Sequence, residues 1–114
     1  MGTVRASYSS VNVSCVVEHT FPRPGLILYR SDLILSYLFL SDLARSHTRG
    51  SGGRVKVAGA RQVVDRYRDG AYRVLVWAVL EDAALQLENL FECEMFLPQT
   101  DFRLSKSTIY SPSK

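Results

Sequence analysis

The chain of 114 residues contains two cysteines, and each lies at the centre of a short apolar–polar alternation. Cys15 is part of "VNVSCVV" (11–17) and Cys93 is part of "LFECEM" (90–95), 78 positions further along. Period-two alternation with β-branched residues is typical of a half-buried strand, so both cysteines are expected to point inward from separate strands. Two such residues either clamp two sheets together as a disulfide or remain as buried free thiols.

Most of the remaining chain is also β-prone. "LILYR" follows the turn sequence "TFPRPG", and three later stretches favour strands: "RVKVAGARQVV", "AYRVLVWAVL" and "FRLSKSTIY". Residues 81–90 have a helix-favouring composition that allows one or two helical turns. About seven strands without a sustained amphipathic helix predict an all-β sandwich, formed by a single domain over 1–114.

The order of these features resembles an immunoglobulin-like domain of the C2 type. In particular, it resembles the second immunoglobulin domain of invertebrate cell-surface or secreted proteins that have two such domains. In this resemblance "VNVSCVV" corresponds to strand B, "FPRPGLILYR" to the B–C turn and strand C, "AYRVLVWAVL" to strand E, "LFECEM" to strand F and "FRLSKSTIY" to strand G. It implies a Greek-key β-sandwich with a Cys15–Cys93 disulfide.

Three features depart from the family pattern. Leu28 occupies the strand C position at which the family usually has tryptophan, and Phe91 replaces the tyrosine of the tyrosine corner. The connection between strands C and D is unusually long, and residues 31–53 are expected to form an extended or partly disordered excursion. Its apolar run at 33–40 is too short to span a bilayer, and deletion of 33–52 should leave the fold intact.

The predicted core unites residues from both sheets, whereas Trp77 is expected to be a core or sheet-face aromatic. The core residues are Val11, Val13, Cys15, Val17, Leu26, Leu28, Phe91, Cys93 and Met95.

The sequence contains no pattern that predicts catalysis, a cofactor or a metal. His19 and His47 are the only histidines, and neither has Cys, Asp or Glu at metal-ligand spacing. No Gly-rich phosphate loop joins a strand to a helix, and no nucleophile elbow or serine–histidine–acid set can be assembled. We therefore expect a protein that is not an enzyme.

The resemblance implies a recognition or adhesion module within a larger cell-surface or secreted protein. Its expected partner is a protein, such as another immunoglobulin-like domain or a second copy of this chain. By analogy with the fold, the contact face is the exposed side of strands C, F and G. Ile27, Tyr29, Glu92 and Glu94 are its candidate contacts, although a carboxylate pair on an exposed strand is usually only solvated.

An extracellular or cell-surface location is expected from the resemblance and from the cysteines. In a secreted chain, Asn12-Val13-Ser14 is an N-glycosylation sequon. Asn12 lies on the strand side opposite Cys15 and is expected to face solvent, where it can accept an N-linked glycan. The N-terminal residues lack the apolar segment of a signal peptide. We therefore expect the chain to begin inside a longer extracellular protein, with Met1 not the true start.

The alternative is a soluble intracellular β-rich protein with free thiols. It would bind an acidic partner through the basic stretch 45–73, although a solvated positive edge is the simpler interpretation of these charges. The formal net charge is only +3, and aromatic residues are not interleaved with the arginines, so nucleic acid is not an expected partner.

Overall fold

The computed structural model describes residues 1–32, 54–85 and 87–112. Within these residues, the regular structure is almost entirely β, and the one helical element is a single 3-10 turn at Asp82–Ala84. The all-β prediction is confirmed, and the helical turns expected over 81–90 are reduced to this one turn. The strands are β1 Gly2–Ala6, β2 Ser10–Thr20, β3 Gly25–Asp32, β4 Val55–Lys56, β5 Arg61–Arg66, β6 Tyr72–Glu81, β7 Asn89–Phe96 and β8 Arg103–Tyr110.

The strands form two four-stranded sheets, in the orders β1-β2-β6-β5 and β4-β3-β7-β8. All paired neighbours are antiparallel. β2 pairs with β6 and β3 with β7, so the chain alternates between the sheets in the manner of a Greek-key sandwich. This arrangement is compatible with an immunoglobulin-like fold, with eight strands instead of the expected seven.

The stretch "RVKVAGARQVV" forms two strands where the sequence indicated one. Between β4 and β5, Gly59 has a φ of 78°, in the left-handed region that glycine adopts without steric cost. The chain changes sheets at this turn: β4 pairs with β3, whereas β5 pairs with β6 in the other sheet. The first strand, β1, was not identified from the sequence either.

The core lies between the sheets around a disulfide that joins β2 to β7. The Cα atoms of Cys15 and Cys93 are 5.8 Å apart, which confirms the expected bond. All predicted core residues are buried except Val17, which is partly buried and packs against the others. The sixth strand adds three buried residues that were not predicted to be in the core: Val74, Val76 and Ala78.

Two of the departures from the family pattern are accommodated by packing. Leu28 is 2% exposed and lies directly opposite Cys93 on the neighbouring strand, so it fills apolar space beside the disulfide. Phe91 is equally buried and has no hydroxyl to donate. A different tyrosine, Tyr110 at the end of β8, donates a 2.9 Å hydrogen bond to Asp82 in the 3-10 turn. Burial raises the pKa of the Tyr110 hydroxyl, and the Asp82 carboxylate acts in the same direction.

The third strand is longer than predicted. β3 continues through Ser31 and Asp32, which pair with Leu90 and Asn89 of β7, so these two residues belong to the sandwich and not to an excursion. Ser31 is 7% exposed, which is typical of a sheet residue and not of a loop. The remainder of the predicted excursion, 33–53, lies outside the described residues.

Candidate protein-contact face

The four predicted contact residues are brought together on the outer side of the sheet β4-β3-β7-β8. Ile27 lies directly opposite Glu94, and Tyr29 lies directly opposite Glu92. Their neighbours along each strand point inward, because side chains alternate between the two sides of a sheet. We refer to the outward side of this sheet, with these four residues at its centre, as the β3–β7 face.

Arg54 lies at the centre of this face, between the two carboxylates. Two other cations lie on the same side of the sheet: Lys56 opposite Tyr29 and Arg103 opposite Phe96. The Arg54 guanidinium Nη1 lies 3.1 Å from Glu92 Oε1, and its Nη2 lies 3.9 Å from Glu94 Oε1. The same guanidinium carbon stands 3.6 Å from the centroid of the Tyr29 ring, a cation–π contact. One arginine thus stacks on an aromatic ring and bridges two acids, which a planar guanidinium does well.

Partial burial makes this cluster more ordered than an ordinary surface ion pair. The side chains of Arg54, Glu92 and Glu94 are only 31%, 22% and 15% exposed. An exposed salt bridge contributes about 0–1 kcal/mol, and a cation–π contact adds a similar amount, so the cluster stabilises the fold only modestly. Its more important consequence is geometric: an aromatic ring and two carboxylates are presented in fixed positions.

The charge on the face is well defined near neutral pH. Burial raises the pKa of the Tyr29 hydroxyl, Arg54 opposes this rise, and the nearby Glu94 and Glu92 add to it. Tyr29 is therefore neutral under ordinary conditions and can donate or accept a hydrogen bond. With two carboxylates and one guanidinium, the cluster carries one net negative charge.

Small hydroxyl residues border the cluster on the β8 side. Ser107 lies opposite Glu92, and Ser105 lies opposite Glu94. Both serines are exposed, as are all β8 residues except Tyr110. β8 is an edge strand, and within the described residues of its sheet it pairs only with β7. Among the residues that the structure describes, no element covers the face or this edge, so both are open to a partner.

An apolar end of the face is built on a close approach of β3 and β7. Phe96 lies directly opposite Gly25, and a Cβ on that glycine would come within 2.2 Å of the phenyl ring. The ring thus occupies the space that any side chain at position 25 would take. On its other side, the guanidinium carbon of Arg103 is 5.2 Å from the ring centroid.

The sequence does not predict the contacts of Arg54 with Tyr29, Glu92 and Glu94. In the sequence, Arg54 belongs to the basic stretch 45–73, and the alternation around Cys93 indicates only that Glu92 and Glu94 lie on a solvated strand side. No local signal links them, because 38 positions separate Arg54 from Glu92. The contact arises only because β4 pairs with the part of β3 that contains Tyr29 and Arg30.

Several other arginines of the basic stretch also have partners. Arg73 lies 3.5 Å from an Asp65 carboxylate oxygen and 3.6 Å from one of Glu18. Arg66 lies 5.3 Å from the Tyr72 ring. These contacts disperse the stretch over both sheets instead of gathering it into one positive patch. The part of the stretch at 45–53 lies outside the described residues.

A second polar contact joins the end of β2 to the turn between β5 and β6. His19 Nε2 lies 2.6 Å from Asp69 Oδ2, and the His19 ring packs on Tyr67 at a centroid distance of 4.8 Å. A hydrogen bond from the Ala71 N–H is the main cause that lowers the pKa of Asp69, and His19 adds to it. His47 lies outside the described residues, and among those described no group of three or more His, Cys, Asp or Glu could hold a metal ion.

Comparison with known proteins supplies no relative: no family model matches the chain, and no curated protein matches it either. Within 1–32, 54–85 and 87–112, the structure has no helix with the length and apolarity needed to cross a bilayer. The class of protein is therefore assigned from the structure alone: an all-β sandwich of two antiparallel sheets joined by a disulfide.

Proposed function

We propose that this protein is a non-catalytic recognition or adhesion module, an immunoglobulin-like domain of the C2 type within a larger cell-surface or secreted protein. The strand order and the buried disulfide support this class. A disulfide persists in oxidising compartments, which supports an extracellular location. The family type itself rests on the order of the sequence features.

The observation that carries the proposal is the Arg54 cluster on the β3–β7 face. Fixed aromatic and charged side chains are characteristic of protein interfaces, where preorganised groups reduce the entropy lost on binding. Tyr29 and Arg54 belong to the residue types that dominate interface energetics. The two carboxylates of the cluster favour a partner that donates hydrogen bonds to them or places a cation beside them.

The alternative of an intracellular protein that binds an acidic partner has less support. It required free thiols, whereas both cysteines are engaged in the disulfide. It also required an available positive patch, whereas Arg54 and Arg73 each contact two carboxylates. Retention on a heparin column only at very low salt is the expected result for the proposed module.

The proposal can be tested by presenting the chain as a multivalent tetramer to purified immunoglobulin-like ectodomains and to itself. Ser107→Arg places a bulky cation beside Glu92 on the face, at an exposed site where folding should not suffer. Val63→Arg is the matched control, because Val63 is 43% exposed on the other sheet. We expect binding that Ser107→Arg abolishes and Val63→Arg preserves. The reverse pattern would show that the β3–β7 face is not the contact surface.

A further inference from the structure

The outer side of the other sheet, β1-β2-β6-β5, carries an apolar patch that the proposed contact face does not use. It is centred on Trp77, the only tryptophan of the chain. Val63 and Val79 are 43% and 54% exposed, and Leu75 and Trp77 are half-buried. Exposed apolar patches of this kind are unusual on a solvated domain unless something covers them.

A hollow of about 500 Å³ opens beside the Trp77 ring. The β5 side of the ring is bordered by Arg61, whose guanidinium carbon is 6.0 Å from the ring centroid. The hollow is lined by Thr3, Arg5, Asn12, Ser14, Leu75 and Trp77.

Two of the lining residues, Asn12 and Ser14, are the first and last residues of the glycosylation sequon. In the register of β2 and β6, Ser14 lies opposite Trp77, and Asn12 lies opposite Val79. Asn12 is therefore the diagonal neighbour of Trp77 on the same side of the sheet, at a typical Cα separation of about 7–8 Å. Its side chain is exposed. A sugar attached to the Asn12 amide nitrogen starts at the rim of the hollow.

We infer that Asn12 carries an N-linked glycan whose first sugars pack on Trp77 and cover the outer side of β1-β2-β6-β5. This inference rests on the proposed extracellular location, because only a chain that enters the secretory route meets the glycosylation machinery.

The lining of the hollow matches the chemistry of a sugar. A pyranose ring has an apolar C–H face and a rim of hydroxyl groups, and the hollow offers the apolar surfaces of Trp77 and Leu75 beside polar groups. Arg5 lies directly opposite Asn12 on β1, where its guanidinium can donate hydrogen bonds to sugar hydroxyl or acetamide oxygens. Covering Val79 and Trp77 removes apolar surface from water, which stabilises the glycosylated state.

A second copy of the chain fits the same surface less well. A two-fold contact would bring Arg5 and Arg61 of both copies close to one another, and like charges oppose such an approach. The attached sugar is therefore the occupant that both the sequon and the charges favour.

The experiment expresses the full chain behind a heterologous secretion leader and compares it before and after enzymatic removal of the glycan under native conditions. Intact mass measures occupancy of Asn12. Because Trp77 is the sole tryptophan, acrylamide quenching of the intrinsic fluorescence reports directly on its exposure. We expect glycan removal to raise the quenching constant and to lower Tm by roughly 4 °C.

A matched control moves the glycan away from the hollow. Asn12→Gln combined with Pro98→Asn creates the sequon Asn-Gln-Thr in the exposed turn between β7 and β8. Removal of that glycan should leave Trp77 quenching unchanged. In a Trp77→Thr background, loss of the Asn12 glycan should no longer lower Tm, since the packing surface is gone.

Three results would overturn the inference: a secreted chain without sugar on Asn12, equal Trp77 quenching with and without the glycan, or self-association of the glycosylated chain that Val79→Asp abolishes. These results are separate from the test of the contact face. An unglycosylated chain that still binds partners would refute only this inference. A glycosylated chain with a shielded Trp77 that binds no partner would refute only the recognition role.

Discussion

Removal of the Cys15–Cys93 disulfide should lower the stability of this domain strongly. The double variant Cys15→Ala/Cys93→Ala opens a closed loop of 78 residues. In the chain-entropy model, a loop of this length contributes about 4.5 kcal/mol, because the cross-link restricts the unfolded chain. The cysteines are 0% and 4% exposed, so the loss of their sulfur atoms also leaves small voids in the core.

This loss is large compared with the total stability of a domain, which is about 5–15 kcal/mol. We expect the free energy of unfolding to fall by about 4 kcal/mol in urea titrations followed by circular dichroism. With an m-value of about 2 kcal/mol per molar, the urea midpoint should shift by about 2 M. The m-value itself should rise, since an unfolded chain without the cross-link exposes more surface.

Wild-type protein under reducing conditions provides the control, and its urea midpoint should approach that of the double variant. A loss smaller than about 1 kcal/mol would refute the reasoning. Such a result would mean that the contacts between the sheets, and not the cross-link, hold β2 and β7 together. A reduced wild-type protein that unfolds at the same urea concentration as the oxidised protein would lead to the same conclusion.

Three further changes test other parts of the structure. Gly25→Ala should force the Phe96 ring off β3 and lower the free energy of unfolding in urea by about 1 kcal/mol, and Phe96→Ala in the same background should relieve the clash. The pKa of Asp69 is lowered in the folded state, so its contribution to stability is complete above the ordinary carboxyl pKa of 3.8 and is lost as the pH falls through the folded pKa. Asp69→Asn should therefore weaken the loss of Tm in acid. An unchanged dependence of Tm on pH would contradict this. Deletion of 33–52 should preserve the circular dichroism spectrum and improve solubility, whereas an unfolded product would show that this segment contributes to the core.

The alternation of β2 and β7 allowed the core to be predicted well. Polar residues alternate with apolar ones there, as in Asn12 between Val11 and Val13, so only one side of each strand can face inward. The pattern predicts that a strand forms and also which of its residues face the core. The alternation therefore predicts Cys15 and Cys93 on the inner sides of two strands.

The sixth strand shows where this reasoning fails. Its residues 74–79, "VLVWAV", are apolar at every position, so the sequence does not indicate which of them face the core. Val74 and Val76 face the core, whereas Trp77 and Val79 lie on the outer side. This choice follows from the pairing of β6 with β2, in which Cys15 lies opposite Val76. The outer apolar patch, and with it the hollow beside the sequon, is therefore a product of tertiary register and not of local sequence.

The connection between β3 and β4 gives the same lesson for the contact face. Arg30 pairs with Val55, so the two strands form antiparallel neighbours although 24 residues separate these positions. After deletion of 33–52, Gly53 and Arg54 would join Val55 to the strand residues Ser31 and Asp32, so four residues would lie between Arg30 and Val55, a length common in β-hairpins. We therefore expect the hairpin to close without the long intervening segment. What the hairpin does require is the pairing itself, because it places Arg54 over Tyr29 and between the two carboxylates of the β3–β7 face.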